Sequence, residues 1–298
     1  ILMIRPLAFN YNVQTAVNNH YQNASDFDSN SNQINLSAQI EFDNFVLKLR
    51  SFGVDVIVFQ DDDKFDTPDS VFPNNWISFH SNGDIALYPM FAENRRNERR
   101  EDVVNYIEKN RYLINNVIDY SSAEESNIVL DRLNRKAYCA VSERSNEELL
   151  IEFCEDFEYT PVVFNAFQSV NEARELIYHT NVMMCVADNF VIICLDCIDD
   201  KKQRKNVIAH LKEDGKEIIK ISENQVNSFA GNMLQILDRN NNSLLIMSES
   251  AYNVLTRAQK DIINKYAKIV FSSLNTIETY GGGSARCMMA EVFLPKAK

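Results

Sequence analysis

Four asparagines fall at nearly equal intervals: Asn75, Asn127, Asn181 and Asn232 are 52, 54 and 51 residues apart. Each opens the same pattern of an apolar run, a polar turn and a second apolar run. The copies read NNWISFHSNGDIALYPM from Asn74, SNIVLDRLNRKAYCAVSERS from Ser126, TNVMMCVADNFVIICLDC from Thr180 and GNMLQILDRNNNSLLIMSES from Gly231. Short β-rich runs around an Asn/Asp/Gly-rich turn predict a hairpin in each copy. A supersecondary unit repeating about every 50 residues predicts a repeat or propeller-like fold.

A fifth copy falls due after Asn232, where the chain reads ARCMMAEVF with Cys287 in the asparagine slot, 55 residues on. No second strand of that hairpin follows. The opening ILMIRP is an apolar strand without a partner of its own, so the two ends are expected to pair and to close a ring of five units. Closure removes the exposed strand edges of an open sheet. Between hairpins lie helical segments: DNFVLKLRSF ending at Gly53, NERREDVVNYIEKN, SNEELLIEFCEDF, DDKKQRKNVIAHLKEDG and SESAYNVLTRAQKDIINKYA. ARELIYH reads as a further helix. Residues Asn23 to Asn35 break the pattern and read as a long disordered or lid-like loop. The expected architecture is α/β, a single domain over residues 1–298.

The chain carries a formal charge of −12 with a pI near 4.9. Such a surface argues against nucleic acid, which needs a basic stripe. The one basic cluster, Asn94–Arg100, is hemmed by acids and reads as a solvated helix face. No apolar run approaches the length of a membrane span, and the start is too short and interrupted for a signal peptide; a cytoplasmic protein is expected. Six cysteines lie mostly in apolar runs and read as reduced thiols. Cys194 and Cys197 form a C-x-x-C inside a strand-like run, where residues three apart face opposite sides. The four histidines supply no second ligand pair, so no metal is expected.

Five units converging on an axis would gather their registered positions there. Near them stand Cys287, His179, Glu124, Asn74, Asn75, Asp66 and Asp69. A thiol, an imidazole and a carboxylate from three units make up a set for thiol nucleophilic catalysis. Three of the seven glycines, Gly281 to Gly283, precede the thiol. They permit positive φ and close backbone approach, and their N–H groups are placed to favour negative charge. The bland readings are that Cys139, Cys154, Cys185 and Cys194 are core residues and that His20, His80 and His210 are ordinary. Glu124 and Glu125 sit in a polar loop, and their case depends on the repeat register.

MIRP, FNYNVQTAVNNHYQ, PDSVFPNNWISFH, IVLDRLNRKAYCAVSERS, IYHTNVMMCVADNFVIIC and GGGSARCMMAEVF together resemble the guanidino-group-modifying enzymes, the pentein superfamily. It includes arginine deiminase, dimethylarginine dimethylaminohydrolase and the amidinotransferases. Within it the chain resembles the amidinotransferase-like hydrolases of the citrulline-utilisation type. The resemblance implies a five-bladed α/β propeller, Cys287 as nucleophile, His179 as general acid/base and a carboxylate before the second hairpin. Here that stretch reads AEESN, Ala123 to Asn127, where the look-alikes have E-G-T-G-S; the E-G-G-D of the deiminases places the carboxylate at Glu124, a register one residue longer places Ala123 there, and Glu125 stays open. Arginine deiminases grip the guanidinium with aspartates at positions that here hold Asn75 and Asn181. Amides both donate and accept, so a neutral ureido group such as that of citrulline suits them, while Asp66 and Asp69 can supply charge for a guanidinium. The implied activity is hydrolysis of a guanidino or ureido C–N bond, and the thiol mechanism that the resemblance implies needs no cofactor. Its alternatives are an amidinotransferase with the same intermediate, or a non-catalytic ligand-binding protein. Members of the family often form homodimers, an expectation carried by the resemblance alone.

Overall fold

The computed structural model describes residues 1–23, 31–123, 127–171 and 173–297. One three-stranded module recurs in it. β1 (Leu2–Arg5) pairs in parallel with β2 (Ile57–Gln60). β3 (Ile77–Phe79) and β4 (Asp84–Leu87) form an antiparallel hairpin, and β4 pairs in parallel with β5 (Asn116–Asp119). β6 (Val129–Asp131), β7 (Lys136–Ala140) and β8 (Thr160–Phe164) repeat that order. β9 (Phe167–Val170) and β10 (Ala173–Leu176) make a separate two-stranded ribbon. β11 (Met184–Val186), β12 (Phe190–Ile193) and β13 (Glu217–Lys220) repeat the module, as do β14 (Leu234–Leu237), β15 (Ser243–Ser248) and β16 (Lys268–Ser272).

The expected hairpins are therefore present in four copies, each completed by a parallel strand that arrives after a helix. The ends of the chain supply the matching piece around β1. Leu2 N–H donates to the Ala290 carbonyl at 2.7 Å, and Ala290 N–H donates back to Leu2 at 3.0 Å. Ala290 thus stands antiparallel to β1 on the side away from β2. The pairing is a single bridge, and the sheets among the described residues are open, two or three strands wide.

The chain forms two compact units: Ile1–Glu124 with Thr276–Gly283 and Cys287–Lys298, and Glu125–Asn275 with Ser284–Arg286. The first unit's core joins Leu2, Ile4, Trp76, Phe79, Ile85, Val103, Ile107 and Ala290. Burying the Leu, Ile, Val and Phe side chains among them stabilises by roughly 1.5–3 kcal/mol each. The second unit's fully buried side chains include Tyr138, Phe153, Phe157, Phe164 and Phe190. No described helix is long and apolar enough to cross a membrane.

Several local expectations need correction. The helix before Gly53 runs from Ser31 to Ser51, burying Ile34, Ala38, Phe42, Phe45 and Leu49 at helical spacing; Gly53 (φ 79°) ends it. Part of the supposed Asn23–Asn35 loop is thus helix, and residues 24–30 lie outside the described residues. ARELIYH is not a helix: Ala173–Leu176 is β10, which pairs with β9. The segment from Ser248 is two helices, Glu249–Val254 and Arg257–Ile263, because Thr256 caps a second start and forms a capping box with Gln259. Leu195–Cys197 is a tight 3₁₀ turn after β12, not strand. The turn hydrogen-bonds the Cys194 and Cys197 thiols to each other rather than setting them on opposite faces, which lowers the first thiol's pKa and raises the second's.

Replacing Ala290 by proline removes the N–H that holds Leu2 and obstructs a paired strand. The variant is expected to lose about 1–3 kcal/mol, read as a lower thermal unfolding midpoint. An unchanged midpoint would contradict the role of this terminal pairing.

Candidate active site

In the first unit, the segment before Cys287 is a π-helical turn over Ile277–Gly281, with Gly282 left-handed at φ 61°. Each glycine has its own reason. A Cβ on Gly281 or Gly283 would come within 2.8 Å of the Phe72 ring, and only Gly282 needs the positive φ. Asn19 Nδ2 donates to the carbonyls of Gly281 and Gly282, both at 3.4 Å, and Gln22 Nε2 to Gly281 at 3.3 Å. The stretch was expected to offer N–H groups to negative charge. The Gly282 N–H is instead taken by the Glu278 carbonyl at 3.0 Å. Cys287 itself is 4 % exposed.

The same unit gathers two of the four residues expected there to hold substrate. Asp69 is buried and accepts from Asn12 Nδ2 at 2.8 Å and Thr15 Oγ1 at 3.2 Å. Asn75 ends the short Pro73–Asn75 turn. Its Oδ1 accepts from Arg95 Nη2 at 3.2 Å. Arg95 Nε lies 3.7 Å from Asp69 Oδ2, and the guanidinium forks onto Glu98, both hydrogen bonds 2.9 Å long. Among the described residues, buried Asn75 Nδ2 and Asn74 Oδ1 have no hydrogen-bond partner. Asp66 is exposed.

Arg95 is the residue the sequence reading missed. Residues Asn94–Arg100 were expected to form a solvated helix face, yet Arg95 is 4 % and Glu98 3 % exposed. The helix there is only Glu93–Arg96, too short to present a continuous outer face. Within that run Arg95 and Glu98 turn inward and bond to each other, while Arg96 and Asn97 are exposed. Burial pushes the Glu98 carboxyl up to about 8, against the opposing pull of Arg95.

In the second unit, His179 is buried and its ring packs on Tyr178, centroids 4.5 Å apart. The backbone around it is fixed on both sides. The Tyr178 carbonyl accepts from Ser142 Oγ at 2.8 Å. Thr180 Oγ1 donates to the Asn127 carbonyl at 2.8 Å and accepts from the Ala140 N–H at 2.9 Å. Asn181 N–H donates to Asn127 Oδ1 at 3.2 Å. Such bonding fixes the backbone from which the imidazole projects. Arg144, also missed from sequence, is 2 % exposed with its guanidinium 5.3 Å over the Tyr178 ring. Glu124 and Glu125 lie outside the described residues.

Cys139, Cys154, Cys185 and Cys194 are buried, as expected of core thiols, and burial pushes Cys154 up to about 11. His80 is buried in the β3–β4 turn and bonded to Ser78 Oγ at 2.9 Å.

The Glu98 shift carries a pH dependence. Its folded pKa lies above the unfolded value near 4.5, so its favourable contribution is complete below that value and is lost as pH rises through about 8. The unfolding midpoint should therefore fall between pH 5 and pH 8 by about 3 °C or more beyond any fall in Glu98→Gln, which does not titrate there. Parallel pH profiles for the two proteins would contradict the assignment.

The family model for N,N dimethylarginine dimethylhydrolase, eukaryotic, matches residues 5–294. Comparison with curated proteins finds no match. Among solved structures, the fold is similar to that of ArgZ, an arginine dihydrolase from the ornithine-ammonia cycle in cyanobacteria. The apo form matches at TM-score 0.76 and 16 % identity, over 99 % of this chain and 41 % of that one. The chain thus spans about two fifths of full-length ArgZ, and it matches the N-terminal domain of ArgZ bound to substrate over 98 % of both, at TM-score 0.73 and 15 % identity. A dimethylarginine dimethylaminohydrolase carrying an S-methyl-L-thiocitrulline adduct matches at TM-score 0.62 and 14 % identity, over 96 % of both chains.

Proposed function

Because the chain belongs to the N,N dimethylarginine dimethylhydrolase family, within the pentein superfamily of guanidino-group enzymes, we propose that it hydrolyses a C–N bond of a guanidino or ureido group through a covalent cysteine intermediate. The observation that carries this reading is the family match across residues 5–294. Under it residues 1–298 act as one catalytic domain with a five-bladed α/β propeller fold.

Cys287 is the nucleophile. Its thiolate adds to the central carbon of the substrate, and the C–N bond to the departing nitrogen breaks. His179 gives that nitrogen a proton, and ammonia or an amine leaves. The carbon is then bonded to Cys287 sulfur. Water adds to it after passing a proton to His179, the C–S bond breaks, and the thiolate is restored. Glu124 orients the imidazole or the substrate nitrogens. The fixed backbone on either side of His179 supports its part in two proton transfers without repositioning.

Asn75 bears on the substrate. Arg95 occupies its oxygen, and its Nδ2 is left as a buried donor without a partner among the described residues. A buried donor left unmet costs about 1–3 kcal/mol, which a substrate acceptor would recover. A ureido oxygen is an acceptor, whereas a guanidinium carries only donors. Arg95 also answers the charge of Asp69, leaving less attraction for a second cation. Both features favour a neutral ureido compound such as citrulline, and Asp69, Asn74, Asn75, Asn181 and Asp66 are the residues assigned to its recognition.

The test is ammonia release from arginine, methylarginines, agmatine, citrulline and N-acylated forms. Release from at least one, abolished by Cys287→Ala and lowered about 100-fold or more by His179→Ala, is expected. Silence across the panel would sink the reading. Asn75→Asp restores a carboxylate and should shift the kcat/KM ratio toward guanidinium substrates by about tenfold or more; an unchanged ratio would remove Asn75 from substrate recognition.

A further inference from the structure

The turn that follows the helix Glu223–Val226 is under strain. Phe229 is left-handed at φ 60°, a conformation that bulky residues rarely hold without a compensating gain. Two residues on, Gly231 lies so close to the helical turn Thr180–Met183 that a Cβ would sit 2.2 Å from the Val182 carbonyl oxygen and 2.7 Å from the Met183 carbonyl carbon. Both features deliver Asn232, 1 % exposed, to one place. Its N–H returns to the Phe229 carbonyl at 2.9 Å, closing the turn.

At that place its side chain does two things at once. Nδ2 donates to the Asn181 carbonyl at 3.1 Å. Oδ1 accepts from the Arg286 N–H at 3.1 Å. Asn181 is two residues after His179, and Arg286 immediately precedes Cys287. We infer that Asn232 is a positioning residue, whose single amide ties the backbone at Arg286, one residue before Cys287, to the backbone at Asn181, two residues after His179. The inference rests on the proposed roles of Cys287 and His179. Only an amide fills the position, because the site asks for one donor and one acceptor on a short stem. An ionised aspartate keeps the bond to Arg286 N–H but sets an oxygen against the Asn181 carbonyl. Leucine has the bulk and neither bond, and glutamine is a methylene too long for a fully buried slot. A displacement of about 1 Å in reacting groups costs roughly 100-fold in rate, so the effect should fall on kcat rather than on binding.

The experiment compares wild type, Asn232→Ala, Asn232→Asp and Cys287→Ala on whichever compound of the panel wild type turns over. In parallel, iodoacetamide labelling is followed peptide by peptide against pH, with buried Cys139 reporting on the integrity of the fold. Both Asn232 variants are expected to lose at least about tenfold in kcat with KM within about threefold. The pH midpoint for Cys287 labelling is expected to move while Cys139 remains slow. Should the alanine variant fail to fold, the near-isosteric Asn232→Asp carries the test. A kcat within threefold of wild type, or a loss matched by an equal rise in Cys139 labelling, overturns the inference and leaves the proposed function standing. Absence of turnover by wild type defeats the proposed function and the inference with it.

Discussion

Buried asparagine side chains joining one repeat to the next are the interaction on which the second unit depends. Asn127 Oδ1 receives the N–H of Asn181, Asn232 Nδ2 reaches the Asn181 carbonyl, and Asn232 Oδ1 receives the N–H of Arg286. Each asparagine sits at the same point of its module, just before the first strand of a hairpin. That strand start is where backbone groups have left a turn and have not yet joined a ladder, so their hydrogen bonds must be met from elsewhere. An amide supplies both a donor and an acceptor at short reach, which explains why this residue type recurs at the register. A buried amide left unmet costs about 1–3 kcal/mol, more than a made bond contributes net, so a slip in register between modules is penalised more than once.

The same requirement reads differently where the repeat departs from itself. Asn75 holds the registered position in the first unit, but its oxygen is taken by the Arg95 side chain. Cys287 stands where a fifth asparagine would be, preceded by a backbone N–H that Asn232 accepts. The two irregular positions are therefore the ones where the amide clamp is modified or replaced. Irregularity at sites that a repeat otherwise fixes is where functional demand is expected to outweigh local consistency.

Much of this was legible in the sequence. The hairpins declared themselves because alternating apolar runs flank turns rich in Asn, Asp and Gly, a signal that depends on neighbours only. The pairing of Leu2 with Ala290 followed from a strand missing at one end and an unpaired strand at the other. Arg95 and Glu98 were misread because a run of alternating charges looks the same whether it meets water or itself; burial is a tertiary property. The β10 strand was hidden for a similar reason, since Ala, Arg, Glu and Leu are helix formers and only the pairing with β9 overrides that preference. The split of the Ser248–Ala267 segment was readable in principle, as Thr256 and Gln259 spell a capping box. The buried donor of Asn75 could not have been found from sequence, because it depends on which atom Arg95 claims.

The central claim is a covalent step at one thiol, and intact-protein mass spectrometry addresses it directly. Wild type would be mixed with a substrate of the panel, quenched in acid within the first turnovers, and digested to locate any adduct. The account predicts an added mass equal to the substrate less its departing amine or ammonia, carried by the peptide containing Cys287 and lost on longer incubation. Turnover with no adduct at any quench time, or an adduct on another residue, would contradict it.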